Sequence, residues 1–451
     1  FIMEICTIGG YEEVGKNMTA VKSGDDVIIF DMGVHLPSLI ELQEKGEQGP
    51  YSEKKLRNYG ALPDDLVLDK LGWRNKVRAI IIGHAHLDHV GSVPYLARRY
   101  PQAEILATPF TMEVMESIAK DEGINIKNKK KKIKKDTTHH IKGKNSKLKI
   151  EFINATHSIP ECVFSVWHTQ EGGFFYALDF KFDEHPVMGK PSNYKRLKEL
   201  GKNNKIKAMA LDALYSDTSR RTASERIARN LVQEGLSYVR DKNSALFVTT
   251  FSSHIARLKS IVDYGKKTKR EIVFIGRSLH KYVNCAIKTG ICPFKNDIKL
   301  LKYRSQINSF LKKVEKERGK YLIVCTGHQG ESGSILDRVV NGETPFNFKS
   351  GDHVLFSSSI IPVPVHINAR AKLDKKLKSN GVRLQTDLHV SGHGGREDLR
   401  DMIEFVKPKH IISAHGSLQK ETPLITMASD ELGYKFQETA HLSSNGKVLK
   451  I

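Results

Sequence analysis

The stretch Val77-Arg78-Ala79-Ile80-Ile81-Ile82-Gly83-His84-Ala85-His86-Leu87-Asp88-His89 decides the fold. Its first half is an apolar, β-branched run of the kind found in a buried strand. Its second half sets three imidazoles and a carboxylate within six residues, on a tight turn at the strand's end. Several N and O donors then share one small concave surface, and zinc prefers donors of this type in tetrahedral or slightly expanded geometry. A lone H-x-H is often coincidence. The full H-x-H-x-D-H pattern closing a strand is rare by chance.

These four residues cannot complete two metal sites, so further ligands must come from elsewhere. Three downstream positions have the right chemistry in the same context, a polar residue closing an apolar strand. They are His157 after Phe152–Thr156, Asp179 after Phe174–Leu178, and His415 after Ile411–Ala414. Taken singly, each could be no more than a capped strand end. Together with the first cluster they form a set.

Outward from this core, Glu4–Gly9, Met18–Lys22 and Val27–Asp31 read as strands, with Gly24-Asp25-Asp26 as a hairpin turn. Glu41 to Asp65 reads as a polar excursion over the surface. Pro94–Tyr100 and Pro109–Lys120 read as helices. The lysine-dominated segment Lys127–Lys149 is expected to be a mobile loop, because blocks of like charge repel. It would either clamp a phosphate backbone or serve as a solvated linker. Beyond Asp179 a new alternation begins, with strands at Met209–Asp212, Ala245–Thr250, Ile272–Ile275 and Tyr321–Thr326. Helices at Thr222–Val239 and Ser253–Tyr264 separate them, which predicts parallel α/β layering. From about Arg383 the pattern reads strand, helix, strand at Leu388–Val390, Arg396–Val406 and His410–Ala414, with a closing strand at Lys447–Ile451.

Composition fits an ordinary globular chain: 451 residues, 39% hydrophobic and 27% charged. Lysine plus arginine exceed aspartate plus glutamate by 72 to 51, a formal charge of +21 that would attract a polyanion. A generally lysine-rich surface accounts for that charge equally well. Five cysteines without C-x-x-C spacing imply reduced thiols in a cytoplasmic protein, not disulfides or a thiolate zinc site. No apolar run is long enough to span a bilayer and no signal-peptide pattern opens the chain, so no membrane partner is expected.

H-x-H-x-D-H, then Thr156-His157-Ser158-Ile159-Pro160, then Asp179-Phe180-Lys181, resembles the metallo-β-lactamase superfamily. The long stretch between Asp179 and His415 resembles the β-CASP cap that nucleic-acid-processing members insert into that fold. Within it Cys325–Glu331, Gly276-Arg277-Ser278 and His389–His393 resemble ribonuclease J. The similarity extends over essentially the whole chain. It implies an α/β fold, a metallo-β-lactamase αββα sandwich with an inserted α/β β-CASP cap. The expected boundaries are 1–205 and 376–451 for the sandwich and 206–375 for the cap.

The resemblance also implies roles. His84, His86 and His157 would hold one zinc ion; Asp88, His89 and His415 would hold a second; Asp179 would bridge the two. Asp31 would orient ligands from behind. Asp212, His393 and His415 match the three cap-associated motifs, and a histidine at the third is the form tied to RNA-processing members. Asp88, Asp179, Asp212 and His393 would form the catalytic set. Two zinc ions would lower the pKa of a water to roughly 7 and neutralise charge on the phosphoryl oxygens. His393 would protonate the leaving 3′-oxygen, its tautomer held by Asp212.

In ribonuclease J, polar turns form a pocket for a 5′-monophosphate; here Ser253, Ser359, His393 and the amides of Gly394 and Gly395 are the expected contributors. Gly394-Gly395 stands where the family more often has Ala-Ser, which removes a hydroxyl. The outline, including Gly9–Gly15 and Gly60–Asp65, resembles the archaeal ribonuclease J group, without the separate C-terminal domain of bacterial members or the KH modules of cleavage-factor relatives. The implied activity is a two-metal phosphodiesterase, a 5′→3′ exoribonuclease on single-stranded RNA that prefers a 5′-monophosphate and acts in RNA processing and decay. An internally cutting endoribonuclease is the alternative enzyme. An inactive RNA-binding scaffold is the alternative class, and such scaffolds typically lose ligands. The resemblance leaves room for a homodimer.

Overall fold

The computed structural model describes residues 2–44, 49–361 and 364–451. Of the polar stretch expected between Glu41 and Asp65, residues 45–48 lie outside the described residues. The chain forms two compact units: Phe1–Glu184, Lys190–Thr222 and Gly392–Ile451 make the first, and His185–Gly189 with Ala223–Ser391 make the second.

The first unit is built on two seven-stranded sheets. One runs in the order Lys447–Lys450, Glu4–Gly9, Met18–Ser23, Asp26–Phe30, Val77–Ile81, Glu104–Ala107, Lys130–Lys132. The other runs Ala440–His441, His410–Ala414, Ile206–Asp212, Gly172–Ala177, Val163–Thr169, Lys147–Asn154, Thr137–Lys142. Side chains from both, among them Phe30, Ile81, Phe152, Trp167, Phe174 and Ile412, share one core. A second core lies under the helices Tyr194–Lys202, Arg396–Val406 and Leu418–Leu432, through Leu197, Leu399, Met402 and Leu424. Val77–Ile81 is almost uniformly apolar because it pairs in parallel on both sides and is buried on both faces.

The division between units falls later in the chain than the expected boundaries after 205 and 375. Ile206–Asp212 pairs in parallel with both Gly172–Ala177 and His410–Ala414, so it is a central strand of the sandwich. At the other end, Arg383–Gln385 pairs with His353–Phe356 and belongs to the second unit. The expected lysine loop is also corrected: Lys130–Lys132 and Thr137–Lys142 are strands, one at the outer edge of each sheet.

The second unit holds a six-stranded, wholly parallel sheet in the order Ile298–Leu301, Glu271–Ile275, Tyr321–Cys325, Leu246–Thr249, His353–Phe356, Arg383–Gln385. Helices alternate with the strands, as their apolar spacing predicts; Ser224 caps Glu225–Ser237 by accepting from Arg226 N, worth about 1 kcal/mol. Leu388–Val390, expected as a strand, is not one. Leu388 N still donates to Phe356 O at 3.2 Å, but Leu388 O accepts from side chains, Ser357 Oγ at 2.8 Å and Arg257 Nη1 at 3.3 Å. Arg257 is fully buried and paired twice with Glu225, at 2.6 and 2.9 Å.

All five cysteines are free and buried. Among the described residues, no helix is long and apolar enough to cross a membrane.

Candidate metal centre

Five sandwich strands deliver polar side chains at or just past their carboxyl ends: Asp31 after Asp26–Phe30, His84 after Val77–Ile81, His157 after Lys147–Asn154, Asp179 after Gly172–Ala177, and His415 after His410–Ala414. A sixth strand, Ile206–Asp212, ends on Asp212 itself. Asp31, Asp179 and His415 leave their strands with φ of 59°, 52° and 58°. Such left-handed backbone costs about 1–3 kcal/mol per residue and persists where packing fixes it. Here it turns each side chain sharply off the strand axis. The turn bearing His86–His89 is clamped by backbone bonds, Met32 N to His89 O at 2.8 Å and Val34 N to Leu87 O at 3.0 Å. Gly33 allows this approach, since a Cβ there would sit 1.6 Å from Asp88 O.

The structure brings together all seven residues expected to bind metal. His84, His86, His157 and Asp179 form one group, and Asp88, His89, Asp179 and His415 form another. Within each group the candidate donor atoms lie within 4.8 Å of one another. In the first, His84 Nε2 and His157 Nε2 each lie 3.1 Å from His86 Nδ1. Asp179 Oδ2 lies 3.4 Å from His84, 3.1 Å from His89 and 3.5 Å from His157. Its Oδ1 is 3.6 Å from His415 Nε2 and, though buried, has no hydrogen-bond partner. Converging imidazole nitrogens and an unpaired buried carboxylate oxygen fit divalent cations well.

The surrounding hydrogen bonds orient these donors. Asp31 Oδ2 lies 2.6 Å from His89 Nδ1, while its Oδ1 accepts from Gly83 N at 2.8 Å. His157 Nδ1 lies 2.7 Å from Gly392 O. Asn17, fully buried, was not singled out from the sequence. Its amide Nδ2 donates to Asp88 O at 3.1 Å and lies 3.2 Å from His89 Nε2, and its Oδ1 is 3.1 Å from His415 Nδ1. The only signal was a polar residue just before a strand, between Lys16 and Met18, and that signal is common.

Burial, and then the neighbouring imidazoles, hold His84, His86 and His157 well below the usual histidine range, so all three present neutral nitrogens. For His89 burial acts the same way but is outweighed by Asp179, Asp88 and Asp31, and its pKa is raised. Asp179 is held well below the carboxylate range: burial opposes this, and His415, His89 and His393 overcome it.

His393 sits beside this centre with Nδ1 2.8 Å from Asp212 Oδ2 and Nε2 3.8 Å from Asp179 Oδ2. Asp212 is fixed in turn by Leu214 N, which donates to its Oδ1 at 2.9 Å. Burial would lower the His393 pKa, but Asp179 and Asp212 raise it to about 9. Asp179, Asp212, His393 and His415 also form a third group with metal-binding spacing.

The expected phosphate-binding amides are corrected. Gly394 N already donates to Phe180 O at 2.6 Å, and Gly395 N to Asp398 Oδ2 at 3.0 Å. Glycine is required at 395 because a Cβ there would lie 2.0 Å from Arg220 O. Ser253 and Ser359 belong to the second unit, where Ser359 O accepts from Gln329 Nε2 at 2.8 Å.

The fold and this cluster define a metal-dependent hydrolase of the metallo-β-lactamase type, and the model of the metallo-beta-lactamase superfamily matches residues 11–153. The models "Ribonuclease J, beta-CASP domain" and "Zn-dependent metallo-hydrolase RNA specificity domain" match residues 243–370 and 381–436. Ribonuclease J of Pyrococcus abyssi is 39% identical over 452 residues, covering 100% of this chain and 97% of the relative. Ribonuclease J of Methanocaldococcus jannaschii is 38% identical, covering 99% and 98%, and ribonuclease J 1 of Streptococcus pyogenes is 29% identical, covering 99% and 74%. The chain belongs to the ribonuclease J family. A crystal structure of a protein of unknown function from Enterococcus faecalis V583 shares the fold, with a TM-score of 0.66 at 15% identity and full coverage of both chains.

Proposed function

We propose that the protein is a zinc-dependent phosphodiesterase that degrades single-stranded RNA in the 5′→3′ direction, preferring a 5′-monophosphate, in cytoplasmic RNA processing and decay. What supports this is the convergence of six other N and O donors on Asp179, next to an Asp212–His393 pair, in a chain of the ribonuclease J family.

His84, His86 and His157 are assigned to one zinc ion, and Asp88, His89 and His415 to the other, with Asp179 shared. When bound, the two ions supply Lewis acidity toward the phosphoryl oxygens and bring the pKa of a water near 7. Asp31 and Asn17 hold the imidazoles of His89 and His415 in one tautomer and orientation. His393 carries the proton for the leaving 3′-oxygen on Nε2, because Nδ1 is engaged by Asp212. A general acid must hold its proton until the bond breaks, and the Asp212 carboxylate on Nδ1 stabilises the protonated ring. Ser253 and Ser359 are assigned to recognition of the 5′-phosphate.

Degradation of linear 5′-monophosphate, linear 5′-triphosphate and circular RNA by one preparation tests the reading. Loss of the monophosphate species alone is the expected result. Cutting of the circle would establish an internal endonuclease, and no cleavage of any substrate with metal bound would leave an RNA-binding scaffold.

A further inference from the structure

Residues 127–149 carry eleven lysines and a single acid, Asp136. Lys130–Lys132 pairs only with Glu104–Ala107 at the edge of the first sheet, and Thr137–Lys142 only with Lys147–Asn154 at the edge of the second. The short connection 133–136 joins them, so the lysines occupy one flank of the sandwich. The flank has a direction. Lys132 pairs with Ala107, at the carboxyl end of a strand parallel to the one leading into His84. Asp136 Oδ1 accepts from Asn154 N, at the end of the strand leading to His157. Lys142 and Lys147 face each other at the opposite end. The basic residues therefore run from the ligand-bearing end along about 20 Å of strand.

Little of this charge is neutralised within the protein. Lys129, Lys130 and Lys144 pair with Glu104, Glu116 and Asp25. The other eight lysines have no acidic partner among the described residues. Asp136 is spent on Asn154 and Asn193. Lys142 stands directly across from Lys147, and His140 across from Lys149, all exposed on one face. Like charges opposite one another destabilise a hairpin. Lysines at a sheet edge do guard against edge-to-edge pairing. That role does not account for Lys147 and Lys149, whose strand lies inside the sheet, paired on both sides.

We propose that this flank is a docking surface for the phosphate backbone of RNA, holding a stretch of substrate beyond the catalytic centre without reading its sequence. A linear polyanion relieves the repulsion between facing lysines and releases their counterions. The proposal rests on the ribonuclease reading for its partner, but binding at the flank is measured separately from cleavage.

The test compares the full chain with two triple variants, Lys132→Ser/Lys134→Ser/Lys135→Ser and Lys142→Ser/Lys147→Ser/Lys149→Ser, and with the matching Lys→Arg triples. Binding of short and long 5′-phosphorylated RNA with a phosphorothioate backbone is followed against salt. Hydrolysis of short ordinary RNA is followed in parallel. Each serine triple should weaken long-RNA binding roughly tenfold near physiological salt. It should also make the slope of log affinity against log salt shallower by about 2, since each phosphate that is no longer neutralised removes about 0.7. The arginine triples should restore both, and short-RNA hydrolysis should not change. An unchanged slope with unchanged long-RNA affinity overturns the proposal. So does self-association of the serine triples, seen by sedimentation, with the slope intact, which would leave edge protection as the role. A parent chain that binds RNA through the flank but hydrolyses none would refute the ribonuclease reading and leave the surface standing.

Discussion

The two donor groups that share Asp179 are anchored in different ways. His84, His86 and His157 are three neutral imidazoles, and His157 is oriented by a backbone bond, Nδ1 to Gly392 O. Asp88, His89 and His415 are braced by two further side chains, Asp31 at His89 Nδ1 and Asn17 at His415 Nδ1 and the Asp88 backbone. Both groups are largely buried, and the second is also held by the side chains of Asp31 and Asn17. A change in either side chain should therefore be felt by one group, and a change at Asp179 by both.

Asp179→Ala should disturb both groups at once. With the shared carboxylate gone, hydrolysis should fall by at least about a thousandfold and both metals should be retained poorly, with the fold intact. Metal content by mass spectrometry and single-turnover cleavage check this. Near-normal turnover with two bound ions would show that the groups do not depend on a common ligand.

His393→Ala separates chemistry from metal binding. If His393 is the proton donor, the chemical step should slow by about a hundred- to ten-thousandfold while metal content stays unchanged. Asp212→Asn should show a smaller defect of the same kind, because the amide misorients the imidazole and stabilises its charged form less. The two variants are compared by single-turnover cleavage of short 5′-phosphorylated RNA, with zinc measured on the same samples. Loss of zinc in proportion to activity would place His393 among the ligands, as the spacing of Asp179, Asp212, His393 and His415 also permits.

Asn17→Ala bears on the second group alone. Removing a residue that orients a ligand typically costs about ten- to a hundredfold in metal affinity. One of two ions should thus become easier to remove with a chelator while the other is held as before. Equal weakening of both ions, or of neither, would erase the distinction between the groups.

The expected donors were legible because His84, His157, Asp179 and His415 follow the carboxyl ends of apolar strands, and His86, Asp88 and His89 follow His84 in one short motif. Asp31, Asp212 and His393 were legible only through resemblance, since a single carboxylate or histidine has no pattern of its own. Asn17 was not legible at all: its role depends on Asp88, His89 and His415, residues far from it in sequence. Leu388–Val390 looked like a strand by composition, and no local feature announced that Arg257 and Ser357 would take its carbonyl bonds. The lysine segment was misread because repulsion within a like-charged run was weighed without the two neighbouring strands that hold it. The Gly394 and Gly395 amides were misassigned for a similar reason, their acceptors being Phe180 O and Asp398 Oδ2.

Glu421 is fully buried on the helix Leu418–Leu432, which follows the His415 turn. Its Oε1 accepts from Glu12 N at 3.1 Å, and its Oε2 is buried without a hydrogen-bond partner. Burial raises its pKa to about 8, against an ordinary value of 4.5. At low pH the carboxyl is protonated in both folded and unfolded chains and carries no penalty. As pH rises past 4.5 the unfolded chain ionises while the folded one does not, so stability falls until about pH 8 and then levels off. Glu421→Gln keeps an oxygen for Glu12 N and cannot ionise. Its melting temperature should match the parent near pH 4.5 and exceed it by a few degrees near pH 8, with metal content unchanged at both. Parallel pH profiles for the two proteins would mean that the fold accommodates Glu421 as a carboxylate.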